Sequence, residues 1–507
     1  MLFNSWEFVL FFPTVVLLFF ILPHRYRWVL LLIASYIFYM AWKAEYILLL
    51  IFSTLIDYFC AIKMSKRENK KERKPFLYLS LLSNLGILFS FKYFNFFATT
   101  TNQLSDFLTG NTVFPLLQVL LPMGISFYTF QTLSYSIDVY NGKIKAEKHI
   151  GIFALFVTFF PQLVAGPIER ASHLLPQFRV NHLFDYTRVK YGLQLMAWGF
   201  FKKLVIADRL AIVVNAVYNN PSNFSGLSIW IASIFFAFQI YCDFSAYSDI
   251  AIGAAQVMGY DLMKNFDRPY FSKSISEFWK RWHISLSTWF KDYVYIPLGG
   301  NRTIKWRWYY NLFITFLISG IWHGANWTFV FWGALHGFYL IIALLIAPIS
   351  QKVYEKLRIN KEGNIYKLIN ISITFLLVLL AWVFFRANTI QEGFLLIKNS
   401  FSSNIIIQFK DLVWTFKSVI LNQNDITWQN YMKINNEYLD ISVYDFTISI
   451  LAIIAMEFIH FLQRKHSLRI TINDLHWAWR WFLYYLLLLA ILFFGVFSES
   501  QFIYFQF

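Results

Sequence analysis

His323 lies in Ser319-Gly320-Ile321-Trp322-His323-Gly324-Ala325-Asn326-Trp327, in the middle of a stretch from Tyr309 to Pro348 that contains no Asp, Glu, Lys or Arg. A neutral imidazole takes a hydroxyl proton and returns it to a leaving group near neutral pH, which makes it the commonest general base. Glycine close by on either side lets a substrate or a second backbone approach. Trp322 and Asn326 flank the imidazole and are candidate substrate contacts. The same pattern also suits a helix-packing turn in which a carbonyl accepts the imidazole N–H, and spacing alone leaves both readings open. His336, in the apolar run that follows, reads as a packing or supporting residue.

A second candidate region is Trp279 to Tyr293. At about 100° per residue, Trp279, Trp282, Leu286, Phe290 and Tyr293 share one helical face, with Lys280, Arg281, Lys291 and Asp292 off it and His283 at its edge. This predicts one amphipathic helix, which also fits an interfacial helix anchored by Trp with His283 as a hydrogen-bonded core residue. Asp243 and Asp249 form the only acidic pair inside a long apolar run. Six residues apart, they differ by about 240° around a helix, so they are expected to be structural partners for Lys or Arg rather than a catalytic dyad. G-x-S-x-G, Walker, G-x-G-x-x-G and H-E-x-x-H patterns do not occur, which argues against serine-hydrolase, ATP-driven, dinucleotide and zinc-protease chemistry. Cys60 and Cys242 are the two cysteines and both lie in apolar runs, so no disulfide framework or Cys-based metal centre is expected.

The elements that must position these residues are apolar runs of spanning length, about 20 residues, near 5–22, 26–42, 45–62, 76–97 and 113–135. No Lys or Arg precedes Arg25, so 1–22 reads as a first span rather than a signal peptide. Residues 24–27 and 63–74 are basic, whereas 98–112 has no Lys or Arg, and basic loops stay cytoplasmic. The run 150–166 is short, ends in Pro161-Gln162-Leu163-Val164-Ala165-Gly166-Pro167, and is expected to be re-entrant. Residues 191–218, interrupted by Lys202-Lys203 and Asp208-Arg209, and 226–260 follow. Residues 261–308 read as a basic cytoplasmic segment. Two spans share Tyr309–Pro348, and a basic loop with Lys352, Lys356, Arg358 and Lys361 succeeds them. Further spans near 366–386, 443–463 and 477–496 are joined by a featureless mixed loop, 387–442, and a basic one with Arg464, Lys465 and Arg469. This predicts an all-α polytopic membrane protein of about 12 transmembrane helices, plus re-entrant and amphipathic cytoplasmic segments, with both termini outside. It reads as a single domain over 1–507: N-terminal helices 1–140, a core 141–348 that includes 261–308, and C-terminal helices 349–507 with an extracytoplasmic loop 387–442. In this topology the break at His323 approaches the outer half of the bilayer. No internal repeat is visible, which weighs against a secondary transporter.

Composition agrees. Of 507 residues 58% are hydrophobic and 14% charged, against about 25% charged in soluble proteins. With 58 Phe and a mean hydropathy of +0.49, there is more apolar surface than globular cores of this length enclose. The formal charge of +16 sits in short loops, so it reports orientation in the membrane rather than a nucleic-acid surface.

Trp282-His283-Ile284-Ser285-Leu286-Ser287, then Asp292-Tyr293-Val294-Tyr295-Ile296-Pro297-Leu298-Gly299-Gly300-Asn301-Arg302, then Gly320-Ile321-Trp322-His323-Gly324-Ala325 resemble the bacterial membrane-bound O-acyltransferase family, in its alginate O-acetyltransferase branch. Leu121-Pro122-Met123-Gly124-Ile125-Ser126-Phe127-Tyr128-Thr129-Phe130-Gln131, Ala165-Gly166-Pro167-Ile168-Glu169-Arg170, Asp243-Phe244-Ser245-Ala246-Tyr247-Ser248-Asp249 and the ending Phe502-Ile503-Tyr504-Phe505-Gln506-Phe507 agree in type and order, so the resemblance covers nearly the whole chain.

The resemblance implies transfer of an acyl group across a bacterial cytoplasmic (inner) membrane. His323 matches the family's essential histidine, and His283 its second functional position. The donor it implies is a cytoplasmic thioester, acetyl-CoA, with no tightly bound cofactor and no metal. An extracytoplasmic acetyltransferase partner protein would complete transfer to a polysaccharide, alginate-like or a cell-wall glycan, and the surrounding partner is membrane lipid. In that role His323 activates the acceptor hydroxyl, while His283, Trp282 or Ser287 positions the thioester, and Lys280, Arg281 and Lys291 offer its phosphates a cationic surface. Two alternatives stay open: a D-alanyl transferase of the teichoic-acid type, fed by an acyl-carrier protein, and a polymer exporter or channel without acyl transfer. A eukaryotic-type lipid or protein acyltransferase fits less well, because those usually have Asn where this chain has His283.

Overall fold

The computed structural model describes residues 1–164, 166–357, 360–402, 405–421, 426–427, 429–434, 437–464, 468–497 and 502–503. Ala165, Arg358, Lys465 and the ending Tyr504–Phe507 lie outside the described residues. The chain is almost wholly helical, as its apolar runs predict. Seven described helices are long and apolar enough to cross a membrane: Ala44–Ser65, Lys70–Thr109, Leu227–Met258, Trp327–Val353, Asn364–Arg386, Val443–Leu462 and Trp477–Phe494. Trp6–Ile21 is a shorter apolar helix. Seven is fewer than the twelve crossings expected, and specific breaks account for part of the difference.

The chain forms two compact units, Met1–Met196 with Tyr247–Asn265, and Ala197–Ala246 with Phe266–Phe507. In the first, the expected span 113–135 is helical only from Ile125 to Tyr140. Pro115, Pro122 and Gly124 precede that helix, and Gly124 takes φ +71°, where a Cβ would lie 2.6 Å from the Leu163 carbonyl oxygen. Residues 113–117 instead form neither helix nor strand, and side-chain amides satisfy part of their backbone. Asn102 Oδ1 accepts the N–H of Val113 and of Phe114, each at 2.9 Å, and Asn95 Oδ1 accepts that of Leu117 at 2.8 Å. The run 150–166 is interrupted, with helices Ile150–Thr158 and Phe160–Leu163. Deeper in this unit, three helices share a buried carboxylate. Asp57 accepts from Ser80 Oγ at 2.6 Å and from Asn84 Nδ2 at 2.9 and 3.0 Å, and Asn84 Oδ1 accepts from Ser53 and Thr132.

In the second unit, Lys202 and Lys203 sit on a π-helical turn, Phe201–Ala207, and Asp208 and Arg209 open the helix Asp208–Asn219 that follows. Lys203 Nζ lies 2.8 Å from Asp208 Oδ1 and 2.8 Å from Asp243 Oδ1, with both ends almost fully buried. Asp243 Oδ2 accepts the backbone N–H of Ile503 at 2.8 Å. Asp243 is therefore ion-paired with Lys203, while Asp249 belongs to the first unit. The stretch 387–442 is not featureless. It forms the helices Ile390–Ser400, capped by Thr389 Oγ1 accepting from Glu392 N–H, and Ile405–Ile420, then an antiparallel hairpin of Tyr431–Ile434 and Glu437–Ser442. A Thr-x-x-Glu start and apolar residues at helical spacing were the available signals there.

Candidate active site

His323 and His283 both belong to the second unit, and backbone breaks position both. The stretch Tyr309–Pro348 forms two helices, Lys305–His323 and Trp327–Lys356, so His323 is the last helical residue before the Gly324–Asn326 break. Asn326 caps the second helix, its Oδ1 accepting the Thr328 N–H at 3.0 Å and its Nδ2 donating to the Asn388 carbonyl at 2.9 Å. The two helices touch through glycine. A Cβ on Gly320 would lie 2.3 Å from the Phe329 carbonyl oxygen, and one on Gly333 would lie 2.4 Å from that of Phe316. This close approach places His323 beside Trp332, and the imidazole is 2% exposed.

The expected single helix over 279–293 is instead broken at the residue of interest. Ile275–Arg281 ends, Trp282 is extended, and His283 adopts φ +43°, ψ +55° before Ile284–Phe290 begins, followed by a π-helical turn Lys291–Tyr295. His is among the few non-glycine types enriched in this left-handed region. The kink ends the shared apolar face and turns His283 from its edge to full burial, 0% exposed. Burial pushes its imidazole pKa down to about 3, so His283 is neutral at physiological pH.

Trp322 is shared by the two histidines. Its ring lies 4.9 Å from His323 and 6.0 Å from His283, in edge-to-face arrangements. Phe244 packs edge-on to His283 at 4.6 Å. His323 is further enclosed by Trp332 at 4.9 Å and Phe385 at 5.4 Å. His336 is fully buried, and its Nδ1 accepts the Trp279 indole N–H at 3.2 Å, which places the imidazole proton on Nε2. Trp282 does not reach the histidine pair by a ring contact. It is buried against Phe278, Phe266 and Trp382 at 5.5, 5.1 and 5.0 Å.

Beside this cluster is a largely apolar cavity of about 380 Å³ lined by Trp279, Lys280, Ile284, Ser287, Lys291, Tyr295, Thr315, Phe316 and Ser319, among others. The structure thereby groups three of the expected contacts, Lys280, Ser287 and Lys291. Ser319 lies one turn before His323, and Ile284 directly follows His283, while neither histidine lines the cavity. Ser287 Oγ donates to the Trp282 carbonyl at 3.1 Å. Arg281 is not in the lining. It is bound to Glu277 Oε1 at 2.7 and 3.0 Å and reaches the Asp267 carbonyl. Among the described residues no group of three or more His, Cys, Asp or Glu comes together as a metal site. Sequence reasoning missed Trp332, Trp382, Phe385 and Phe244, because an aromatic residue in a spanning run has the same signature whether it faces lipid or a site.

Residues 148–385 match the model of the MBOAT, membrane-bound O-acyltransferase, family. The chain is 40% identical over 406 residues to the probable alginate O-acetylase AlgI of Pseudomonas aeruginosa, covering 79% of this chain and 75% of that protein. It is 37% identical over 400 residues to the peptidoglycan O-acetyltransferase of Helicobacter pylori, covering 74% and 73%. With the teichoic acid D-alanyltransferase of Bacillus subtilis the identity is 28% over 233 residues, covering 42% and 56%. Both histidines, the cavity and the glycine-mediated helix contact fall inside the matched region, and the chain belongs to the membrane-bound O-acyltransferase family, as a multi-pass membrane O-acyltransferase.

Proposed function

We propose that this protein O-acetylates a polysaccharide outside the cytoplasm, taking the acetyl group from a cytoplasmic thioester, acetyl-CoA, with His323 as general base. The observation that carries the reading is the pairing of two buried imidazoles on one indole, Trp322, in the same stretch of chain as a cavity whose lining includes two lysines. The relatives named for acetylation of alginate and of peptidoglycan support acetyl as the group and a glycan as the acceptor.

A thioester carbonyl is already electrophilic, so the site needs a positioned base and exclusion of water more than a covalent nucleophile. His323 takes the acceptor hydroxyl proton as the oxygen attacks the carbonyl carbon. The adduct then collapses, the C–S bond breaks, and the thiolate receives that proton. His283, neutral at working pH, holds the thioester with Ser287, and Lys280 and Lys291 receive its phosphates. Arg281 shapes the turn by its pair with Glu277. The protein resides in the bacterial cytoplasmic membrane with both termini outside, and an extracytoplasmic acetyltransferase completes delivery to the polymer. A D-alanyl donor on a carrier protein is the second reading, favoured only by the D-alanyltransferase relative at lower identity.

The test replaces His323 by Ala and follows acetylation of envelope polysaccharide in cells that contain the variant at wild-type level. Loss of acetyl ester is expected, and retained ester would remove His323 from the mechanism. Thioester turnover by purified protein, offered acetyl-CoA or a charged carrier protein, decides between the donors.

A further inference from the structure

Trp332 is the hub of the ring cluster around His323. Its indole lies 4.9 Å from the His323 ring at 84°, 4.9 Å from His336 and 5.7 Å from Trp279, and it stacks on Trp382 at 5.8 Å. It is 0% exposed. Among the described residues its Nε1–H has no hydrogen-bond partner, whereas the N–H of neighbouring Trp279 is already given to His336 Nδ1. A buried indole usually finds an acceptor for its N–H, because leaving it unmade forfeits the hydration it had in water. This one lies next to the candidate base.

We propose that Trp332 is a catalytic residue whose indole N–H donates to the carbonyl oxygen of the acyl group as that oxygen gains negative charge. The inference rests on the reading of His323 as the base of an acyl transfer. As the acceptor oxygen attacks, its proton passes to His323 and the C=O π pair moves onto the carbonyl oxygen, which Trp332 stabilises. When the adduct collapses, that pair re-forms the carbonyl, the C–S bond breaks, and the proton goes from His323 to the sulfur. Trp382 and Trp282 are also buried without an acceptor for their N–H among the described residues, but of the three the ring that packs on His323 is that of Trp332; Phe385 has no donor, and Trp279 gives its own to His336. Trp332 touches both His323 and Trp279, and Trp279 lines the cavity, so this indole lies between a residue of the cavity wall and the candidate base. A donor held by stacking on Trp382 and by the fixed His336–Trp279 pair needs no reorganisation when charge develops.

Trp332→Phe removes the N–H, and 3-benzothienylalanine at position 332 removes it while keeping the bicyclic shape. Both are measured in the full-length protein purified in detergent, with acetyl-CoA as donor, for kcat, KM and thermal unfolding, beside His323→Ala. The expected result is a fall in kcat of about 100- to 1000-fold for both, with KM for the thioester and the unfolding midpoint of the benzothienyl protein close to wild type. Wild-type kcat in the benzothienyl protein would overturn the proposal, even if Trp332→Phe were inactive, because shape alone would then suffice. Activity retained by His323→Ala would instead refute the underlying reading of the base, so the two failures are distinct.

Discussion

Replacing Gly320 by Ala adds one carbon where two helix backbones touch, and its effect on His323 follows from distances. The added Cβ would sit 2.3 Å from the Phe329 carbonyl oxygen, a backbone atom that no side-chain rotation can move, and ordinary contact begins at 3.4 Å. The helices Lys305–His323 and Trp327–Lys356 must therefore part by about 1 Å at this level, the difference between those two distances. His323 is three residues further along the first helix and Trp332 is on the second, so their 4.9 Å contact opens by a similar amount. Misplacement of a reacting group by about 1 Å costs roughly 100-fold in rate, and overpacking a close contact costs about 1–3 kcal/mol of stability. The assay is release of free thiol from acetyl-CoA by the purified variant, with thermal unfolding measured on the same sample. The expected outcome is a folded protein with a lowered midpoint and turnover reduced about 100-fold. Wild-type turnover with a wild-type midpoint would refute the claim that this glycine contact sets the position of the base.

Three further outcomes are expected. Lys203→Met leaves Asp208 and Asp243 as adjacent buried carboxylates, which should cost about 3–5 kcal/mol, read as a lowered unfolding midpoint; an unchanged midpoint would mean the network is not structural. Lys280→Glu with Lys291→Glu, both lining the cavity, should raise KM for acetyl-CoA by about tenfold and weaken its salt dependence while kcat holds, and an unchanged KM would place the donor phosphates elsewhere. On the short helix Ala171–Leu174 after the interrupted run 150–166, His173 donates to or accepts from Glu169 at 2.9 Å, and the bond with Glu169 raises its pKa above 6.5. A group whose folded pKa is raised stabilises most below its unfolded value and loses that contribution as pH rises through the folded pKa. Burial also raises Glu169, which acts in the same sense. Thermal stability should therefore decline as pH is raised above about 6.5, and His173→Gln should flatten that decline.

The position of His323 was legible because three signals coincided: a 40-residue stretch without charge, a Gly-His-Gly-like interruption, and a length that requires two helices. The structure puts the break at Gly324–Asn326, next to the expected residue. His283 was legible as a candidate but not in its geometry. Periodicity carries one face smoothly through Trp279–Tyr293, and nothing in residue type announces that His283 takes φ +43°. The Lys203–Asp243 pair shows an intermediate case: the charges were visible as intrusions in apolar runs, and their pairing is a tertiary fact. Trp332, Trp382 and Phe385 carried no usable signal, since membrane solvent rewards aromatic residues inside and outside alike. The segment 113–124 was misread for the opposite reason. Its composition is that of a span, while Pro115, Pro122 and Gly124 disfavour the helix a span needs, and Asn95 and Asn102 supply hydrogen bonds to the irregular backbone that stands in its place.

In the proposed mechanism acetyl passes from a thioester on one side of the membrane to a hydroxyl on the other through His323. The direct measurement uses sealed proteoliposomes of the full-length protein together with its extracytoplasmic acetyltransferase, with isotopically labelled acetyl-CoA on one face only and polysaccharide on the other. Labelled ester is expected on the polysaccharide with wild-type protein and none with His323→Ala. Labelled ester formed equally well by the His323→Ala protein would contradict it.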